Sequence, residues 1–140
     1  MILRTALIVL MTFFINASSV PAQANKNIEM YDIEQKIVIK TITRKPYIQK
    51  NSEIILQGIS DVYKKINPIP IKGLMVKIPL DPSIHVSNQW IDSIVDELIV
   101  FFPEEEEPFI MVYDDENNIY FFSIDKKVNT ANLFLLLLHH

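Results

Sequence analysis

The chain has no cysteine among its 140 residues, and this absence excludes several classes of protein. No disulfide can stabilise the fold, and no thiolate can serve as a nucleophile or a metal ligand. Small secreted eukaryotic domains usually carry disulfides, so an exported chain without them is more typical of a bacterial periplasm or cell surface. A bacterial lipid anchor is not expected, because it needs a cysteine at the cleavage site.

Motifs for catalysis, cofactor binding and nucleic-acid binding are also missing. The sequence has neither G-x-S-x-G nor H-E-x-x-H. It has no basic stripe with interleaved aromatic residues, and its formal net charge is −4 at pH 7, so nucleic acid is not an expected partner. We therefore predict no cofactor, no metal site and no enzymatic activity.

The N-terminal segment, Met1 to about Ala24, has the three parts of a signal peptide. Arg4 supplies a positive start, the run from Ala6 to Ile15 is apolar, and Ala22-Gln23-Ala24 offers small residues to a signal peptidase. A membrane span needs roughly 20 apolar residues, about twice this run. We predict cleavage and a periplasmic or secreted mature chain.

The mature chain from Asn25 is long enough for one domain. Its predicted element order is β-α-β-α-β-β, which favours an α+β fold: a mixed four-stranded sheet with two helices on one face, in a domain ending near Asn132. The β-α-β unit would allow parallel pairing through a right-handed crossover. The predicted strands are Lys36 to Arg44, Leu74 to Leu80, Phe109 to Tyr113 and Ile119 to Ile124, and the predicted helices are Asn51 or Ser52 to Ile66 and Asn88 to Phe102.

The two helices are predicted from apolar residues at helical spacing. In the first helix these residues are Ile55, Ile59, Val62, Tyr63 and Ile66. Gly58 would cost about 1 kcal/mol there against Ala, which indicates a close contact or a weak point. The second helix would present Ile91, Ile94, Val95, Leu98 and Phe102, with Ser87 as its N-cap and Pro103 after it.

The last two strands predict a hairpin, because Asn117-Asn118 tolerates the positive φ of a tight turn. Asp114, Glu116, Asn118 and Asp125 echo the spacing of a calcium loop, but Ile119 stands where such loops need glycine, so a polar turn is the interpretation. The segment Glu107 to Asp114 resembles the proline-led hairpin of thioredoxin-like domains. Their redox motif C-x-x-C is absent, and no function is inferred from the resemblance.

Charge is distributed unevenly along the mature chain. Residues 25–80 hold ten Lys/Arg and five Asp/Glu, whereas residues 81–140 hold two Lys and twelve Asp/Glu. This asymmetry predicts either a partner surface or attraction between the two halves within the fold. The acidic run Glu104 to Glu107 is predicted to be a solvated loop.

A cluster of aromatic residues gives the main indication of function. Tyr120, Phe121 and Phe122 are consecutive, so alternation places them on both faces of the sheet. The helices cover one face, and the other must be covered by another segment or form an exposed apolar patch. The apolar tail Leu133 to Leu138, too short to span a membrane, is either that cover or a docking element. The predicted partner surface comprises Trp90, Tyr113, Tyr120, Phe121 and Phe122.

These patterns predict an exported, non-enzymatic protein-binding module. The alternative is a small ligand-binding or hydrolytic domain that uses His85 and nearby carboxylates such as Asp81. His85 has the right neighbours in the sequence, including Ser83 and Ser87, but their geometry is not given by the sequence. The terminal pair His139-His140 would make only a weak metal site, because no third ligand is nearby.

Overall fold

A computed structural model describes residues 26–139, and the predicted signal peptide lies outside the described residues. This part of the chain contains seven strands and two helices. In chain order they are β1 (Ile28–Asp32), β2 (Ile37–Ile42), α1 (Pro46–Gln57), β3 (Ile59–Val62), β4 (Gly73–Ser87), β5 (Asp92–Pro103), β6 (Phe109–Tyr113), β7 (Ile119–Ile124) and α2 (Thr130–Leu138).

All seven strands form one sheet in the order β2-β1-β4-β5-β6-β7-β3. Every neighbouring pair is antiparallel. The predicted four-stranded mixed sheet is therefore wrong, although the broad α+β class is right. Among the described strands no parallel β-α-β unit forms, because β3 pairs with β7 at the sheet edge and lies four positions from β4.

The largest error is the predicted helix from Asn88 to Phe102, which is strand β5. Val95 faces the helices in its first half, and Leu98 and Val100 face them in its second half. The step of three between Val95 and Leu98 lies where the β4–β5 register is irregular, opposite Pro79 to Ile84. Buried residues alternate in each half of β5, and the two halves are joined by this step of three. The apolar residues therefore fall at helical spacing, which explains the error: they are Ile91, Val95, Leu98 and Phe102.

The first helix exists, but it begins and ends earlier than predicted. Pro46 occupies its first turn, where the missing N–H costs nothing, so the Lys45-Pro46 pair starts the helix. The helix ends at Gln57 with Gly58 as its C-cap. A Cβ on Gly58 would overlap Val128 Cγ2, so the close contact predicted at this glycine is present. The residues predicted to continue the helix form β3 and the connection after it.

Two further strand segments were not among the predicted strands. Strand β1 lies between β2 and β4. Strand β4 extends beyond the predicted segment Leu74 to Leu80 and continues to Ser87, paired with β5. Strand β1 pairs with β4 only from Leu74 to Lys77, so Pro79 lies beyond the end of β1. The N–H that Pro79 lacks would have had no acceptor on β1, so the proline does not interrupt this pairing.

Two local predictions are confirmed. Strand β2 lies within the predicted segment Lys36 to Arg44. Strands β6 and β7 form the predicted hairpin, with Asn117 at φ 62° in its turn. The apolar tail, expected to cover the face away from the helices or to dock a partner, is instead helix α2, and its residues Leu133 and Leu137 are completely buried in the core that the first helix also joins.

Both helices lie on one face of the sheet and share a core with it. Ile48 and Ile55 of α1 and Leu133 and Leu137 of α2 pack against the strands in this core. The helices also touch each other, where the Asn132 side chain donates a hydrogen bond to Asn51 Oδ1 at 3.2 Å. Within residues 26–139, no helix covers the opposite face, which we call the helix-free face.

Candidate functional site

The aromatic residues predicted to form a partner surface lie on different faces of the sheet. Tyr120 and Phe122 belong to the helix side, where their rings stack at 5.9 Å with an interplanar angle of 4°. Phe122 is completely buried, so its side chain is part of the core. Phe121 and Tyr113 are partly buried on the helix-free face.

Trp90 lies apart from the other four aromatic residues, in the turn between β4 and β5. Its side chain is partly buried against the helix-side core, and its backbone N–H donates to Asn88 Oδ1 at 2.9 Å. The five residues therefore form no continuous surface. A partner role for Trp90, Tyr113, Tyr120 and Phe121 stays a prediction.

The helix-free face contains a stacked aromatic cluster. The rings of Phe101 and Phe109 are 4.7 Å apart, and Tyr63 stacks on the far side of Phe109 at 4.0 Å. Phe121 lies 6.3 and 6.4 Å from the rings of Phe101 and Phe109. Phe101 and Phe109 are each only 1% exposed. Neighbouring side chains thus exclude water from them without a helical layer.

Tyr63 begins the segment that we call the crossover, residues 63–72, which connects β3 at the sheet edge to β4 near its centre. Its backbone N–H donates to the carbonyl of Phe121 at 2.9 Å. Its hydroxyl donates to Glu106 Oε2 at 2.6 Å, and the Lys65 ammonium donates to Glu106 Oε1. The acidic β5–β6 loop therefore anchors the start of the crossover.

The pKa shifts of Glu106, Lys65 and Tyr63 agree with the hydrogen bonds between them. Hydrogen bonds from Lys65 and then Tyr63 hold the pKa of the Glu106 carboxyl below its ordinary value. The hydrogen bond to Glu106 raises the pKa of the Lys65 ammonium. Burial, followed by the hydrogen bond to Glu106, raises the pKa of the Tyr63 phenol. At neutral pH the carboxylate accepts from a charged ammonium and a protonated phenol.

The far end of the crossover is also fixed. The Lys72 ammonium lies 3.1 Å from Glu34 Oε1, in the turn between β1 and β2. Gly73 has φ +124°, and a Cβ there would overlap the backbone of Phe102 and Pro103. Its carbonyl accepts a hydrogen bond from the Ile33 N–H at 3.1 Å. Only glycine suits this entry into β4.

Between these two anchors the crossover exposes three isoleucines. Ile66, Ile69 and Ile71 are 100%, 61% and 85% exposed. Pro68 and Pro70 fix two φ angles and favour extended conformations for the residues before them. The crossover and the acidic loop line a shallow groove of about 510 Å³. These three side chains with the nearby acidic residues Glu104 and Glu105 form what we call the acidic patch.

A second exposed apolar segment lies on strand β2, the outer strand of the sheet. Ile37, Val38 and Ile39 are each about half exposed. Lys36 and Lys40 flank them, and Lys45 follows three residues after the strand. The Lys40 ammonium donates to the carbonyls of Leu137 and Leu138 at the end of α2, at 2.9 and 3.1 Å. We call Ile37–Ile39 and these three lysines the basic edge.

His85, the candidate of the alternative hypothesis, lies on the long β4–β5 hairpin. Its Nε2 is 2.7 Å from Asp92 Oδ1, and both side chains are well exposed, at 64% and 71%. Within residues 26–139, no hydrogen bond joins His85 to a serine or threonine hydroxyl, and His85 lines none of the grooves described for this part of the chain. Within these residues the geometry provides an imidazole–carboxylate contact at the surface and no nucleophile beside it.

Asp114, the first residue of the calcium-like spacing, organises the β6–β7 turn. Its carboxylate accepts from the backbone N–H groups of Glu116 and Asn118, the Asn118 amide and the Tyr120 hydroxyl. Hydrogen bonding, first from the Asn118 side chain, lowers the pKa of Asp114. In residues 26–139, no group of three or more His, Asp or Glu is placed to hold a metal ion.

Comparisons with models of known protein families, with curated proteins and with solved structures find no match to this chain. Among the described residues, no helix is long and apolar enough to cross a membrane.

The sequence patterns missed the exposed isoleucines and the anchor beneath them. Tyr63 and Ile66 fit a helical face and were assigned to one. A local signal exists only for Ile69: Asn67-Pro68-Ile69-Pro70 places this isoleucine between two prolines, where no helix or inner strand can form.

Proposed function

We propose that this protein is a non-enzymatic, exported protein-binding module that uses the acidic patch. The observation that carries the proposal is the exposure of Ile66, Ile69 and Ile71 on a segment fixed at both ends. Scattered single apolar residues are normal on protein surfaces, but a contiguous exposed group is typical of an interaction site.

The crossover is fixed at both ends, which is more typical of a binding segment than of a mobile loop. The Tyr63 stack and the Glu106 contacts hold one end, and the Lys72–Glu34 pair holds the other. The prolines between them reduce the conformational freedom that a partner would otherwise have to restrict. A preorganised apolar segment loses less entropy on binding, so more of the burial energy contributes to affinity.

Photo-crosslinking tests the proposal. A photoreactive residue is placed at position 69 of the mature protein, and the protein is exposed to an envelope extract of its source organism. We expect one dominant crosslinked protein. The variant Ile66→Ser/Ile71→Ser with the same probe loses that product, because the apolar contact area is removed while the fold is kept.

The matched control places the same probe at Ile94 or Ile119, which are 55% and 54% exposed but isolated on other strands. These positions are expected to give no dominant product. Equal labelling at positions 69, 94 and 119, or a product unchanged by the two serine substitutions, would contradict the proposed binding site.

Export is part of the same proposal and has its own test. The full chain is expressed in a bacterium, and the periplasmic fraction is examined by N-terminal sequencing. We expect the mature protein to begin at Asn25. Cytoplasmic accumulation of the uncleaved chain would contradict export, and Ala24→Phe provides the control because a large residue does not fit the peptidase pocket.

A further inference from the structure

Two exposed apolar segments of this molecule carry opposite charge. The basic edge combines Ile37–Ile39 with lysines, and the run from Lys36 to Lys45 contains no acidic residue. The acidic patch combines Ile66, Ile69 and Ile71 with the glutamates of the β5–β6 loop. Each surface thus offers apolar area together with the charge that the other lacks.

Ion pairs within the fold do not neutralise the opposite charges of the acidic patch and the basic edge. The two halves of the chain are joined by Arg44–Asp81, Lys65–Glu106 and Lys77–Glu97, at up to 3.9 Å. These pairs account for part of the charge asymmetry along the chain. Lys72 is paired with Glu34.

Both surfaces keep exposed charges outside these ion pairs. Within residues 26–139, no ion pair at 4.0 Å or less engages Lys36 or Lys45 on the basic side, or Glu104 or Glu105 on the acidic side. All four are exposed. The residual charge is therefore positive beside one apolar segment and negative beside the other.

The two edges of the sheet also differ. Strand β3, at one edge, has four residues and a Val62 N–H that is occupied by the Asp61 carboxylate at 2.7 Å. Asp61 and Lys64 form an ion pair beside it. Short, charged strands are the usual protection against edge pairing. Strand β2 has six residues and three consecutive exposed apolar side chains, so it is the more open edge.

We propose that the acidic patch of one molecule binds the basic edge of a second copy of this chain. This inference rests on the proposed function, since it identifies the partner of the same surface. Within one molecule, β2 and β5, whose end carries the glutamates, are three strand positions apart, about 14 Å at the usual spacing. Complementary charge then selects the partner and its orientation.

Charge reversal in two separate variants tests the inference. Glu104→Lys/Glu105→Lys reverses the acidic patch, and Lys36→Glu/Lys45→Glu reverses the basic edge. None of these four side chains has a hydrogen-bonded partner among the described residues, so both variants are expected to keep the melting temperature of the parent. Light scattering after size exclusion then measures the mass of the purified mature protein and of each variant over a range of concentrations.

We expect the parent to associate at low salt and to dissociate in about 1 M salt, where the Debye length is about 3 Å. Each variant alone associates at least about tenfold more weakly, because its altered surface meets like charge. An equimolar mixture of the two variants regains association, because lysines then face glutamates again. Glu53→Lys, an exposed change on α1 outside both surfaces, provides the control and is expected to associate like the parent.

A parent that stays monomeric at every concentration would overturn the inference, as would a variant mixture that behaves as the sum of its components. These outcomes are separate from the test of the proposed function. Suppose that the probe at position 69 crosslinks to a different protein and that the parent stays monomeric. The proposed binding module would then stand, and its partner would be that protein instead of a second copy. If the parent stays monomeric and the probe at position 69 gives no dominant crosslinked product, both proposals are contradicted.

Discussion

The two faces of this single sheet are closed by different means. On one face, α1 and α2 cover the strands with an apolar layer that includes Ile55 and Leu133. On the other, the stacked rings of Tyr63, Phe109 and Phe101 bury one another, and one connecting segment passes over them. Within the described residues, side chains on the helix-free face are therefore buried without a second layer of helices. The crossover that passes over them stays exposed to solvent.

The largest effect is expected on the helix side. Phe122→Ala removes a completely buried ring beneath the helices, so the free energy of unfolding should fall by about 3–5 kcal/mol. Urea denaturation followed by circular dichroism measures the change. Ile94→Ala, at a half-exposed position of β5, is the control and should change the stability by less than about 0.5 kcal/mol.

The entry of the crossover into β4 should be the next most sensitive position. Gly73→Ala adds a Cβ against the backbone of Phe102 and Pro103 at a positive φ, so we expect a loss of about 1–3 kcal/mol. Gly58→Ala is the comparison, because its Cβ would overlap the Val128 side chain and no backbone atom, at a negative φ. Equal losses for the two glycines would contradict the distinction between a backbone and a side-chain obstacle.

A smaller effect is expected where the crossover rests on the helix-free face. Tyr63→Ala removes the ring that stacks on Phe109, and we expect a loss of about 1–2 kcal/mol together with increased exposure of Phe109. Tyr63→Phe keeps the ring and removes only the bond to Glu106, so its loss should be smaller. Thermal melting with near-ultraviolet circular dichroism measures both, and a larger loss for Tyr63→Phe would mean that the hydrogen bond, rather than stacking, fixes the crossover.

The smallest effect concerns pH and the β6–β7 turn. The pKa of Asp114 is lowered in the folded state, so its contribution to stability is present above the unfolded value of about 4 and is lost as the pH falls through the folded value. The difference in melting temperature between the parent and Asp114→Asn should therefore shrink as the pH falls from 7 toward 2. Glu116→Gln, in the same turn, is the control, and a difference that stays constant with pH would contradict the role of the Asp114 charge.

Some of the fold could be predicted from sequence because its signals are local. The β6–β7 hairpin follows from two short β-rich runs and an Asn117-Asn118 turn, and β2 follows from a run of β-branched residues. Strand β5 could not be predicted in this way, since the register irregularity with β4 shifts its buried positions by one residue. Periodicity then indicates a helix, and only the β-branched and aromatic content of Ile94, Ile99 and Phe101 favours a strand.

The candidate surface was less predictable than the fold. Aromatic residues indicated that both faces of the sheet needed cover, but Tyr63 lies far in sequence from Phe109, and their stacking depends on the pairing of β3 with β7. Exposure of Ile66 and Ile71 depends on where the crossover leaves the sheet. Neither property is encoded within a window of a few residues.

The pairing of β3 with β7 has a consequence for when the surface exists. About 60 residues separate the two strands, so this pairing is among the slow, long-range events of folding. The crossover has no fixed position until the C-terminal hairpin has formed, because both the ring beneath Tyr63 and the carbonyl that receives its N–H lie on β6 and β7. The three isoleucines therefore become an ordered recognition element only in the completed molecule, and partner binding would report that folding has finished.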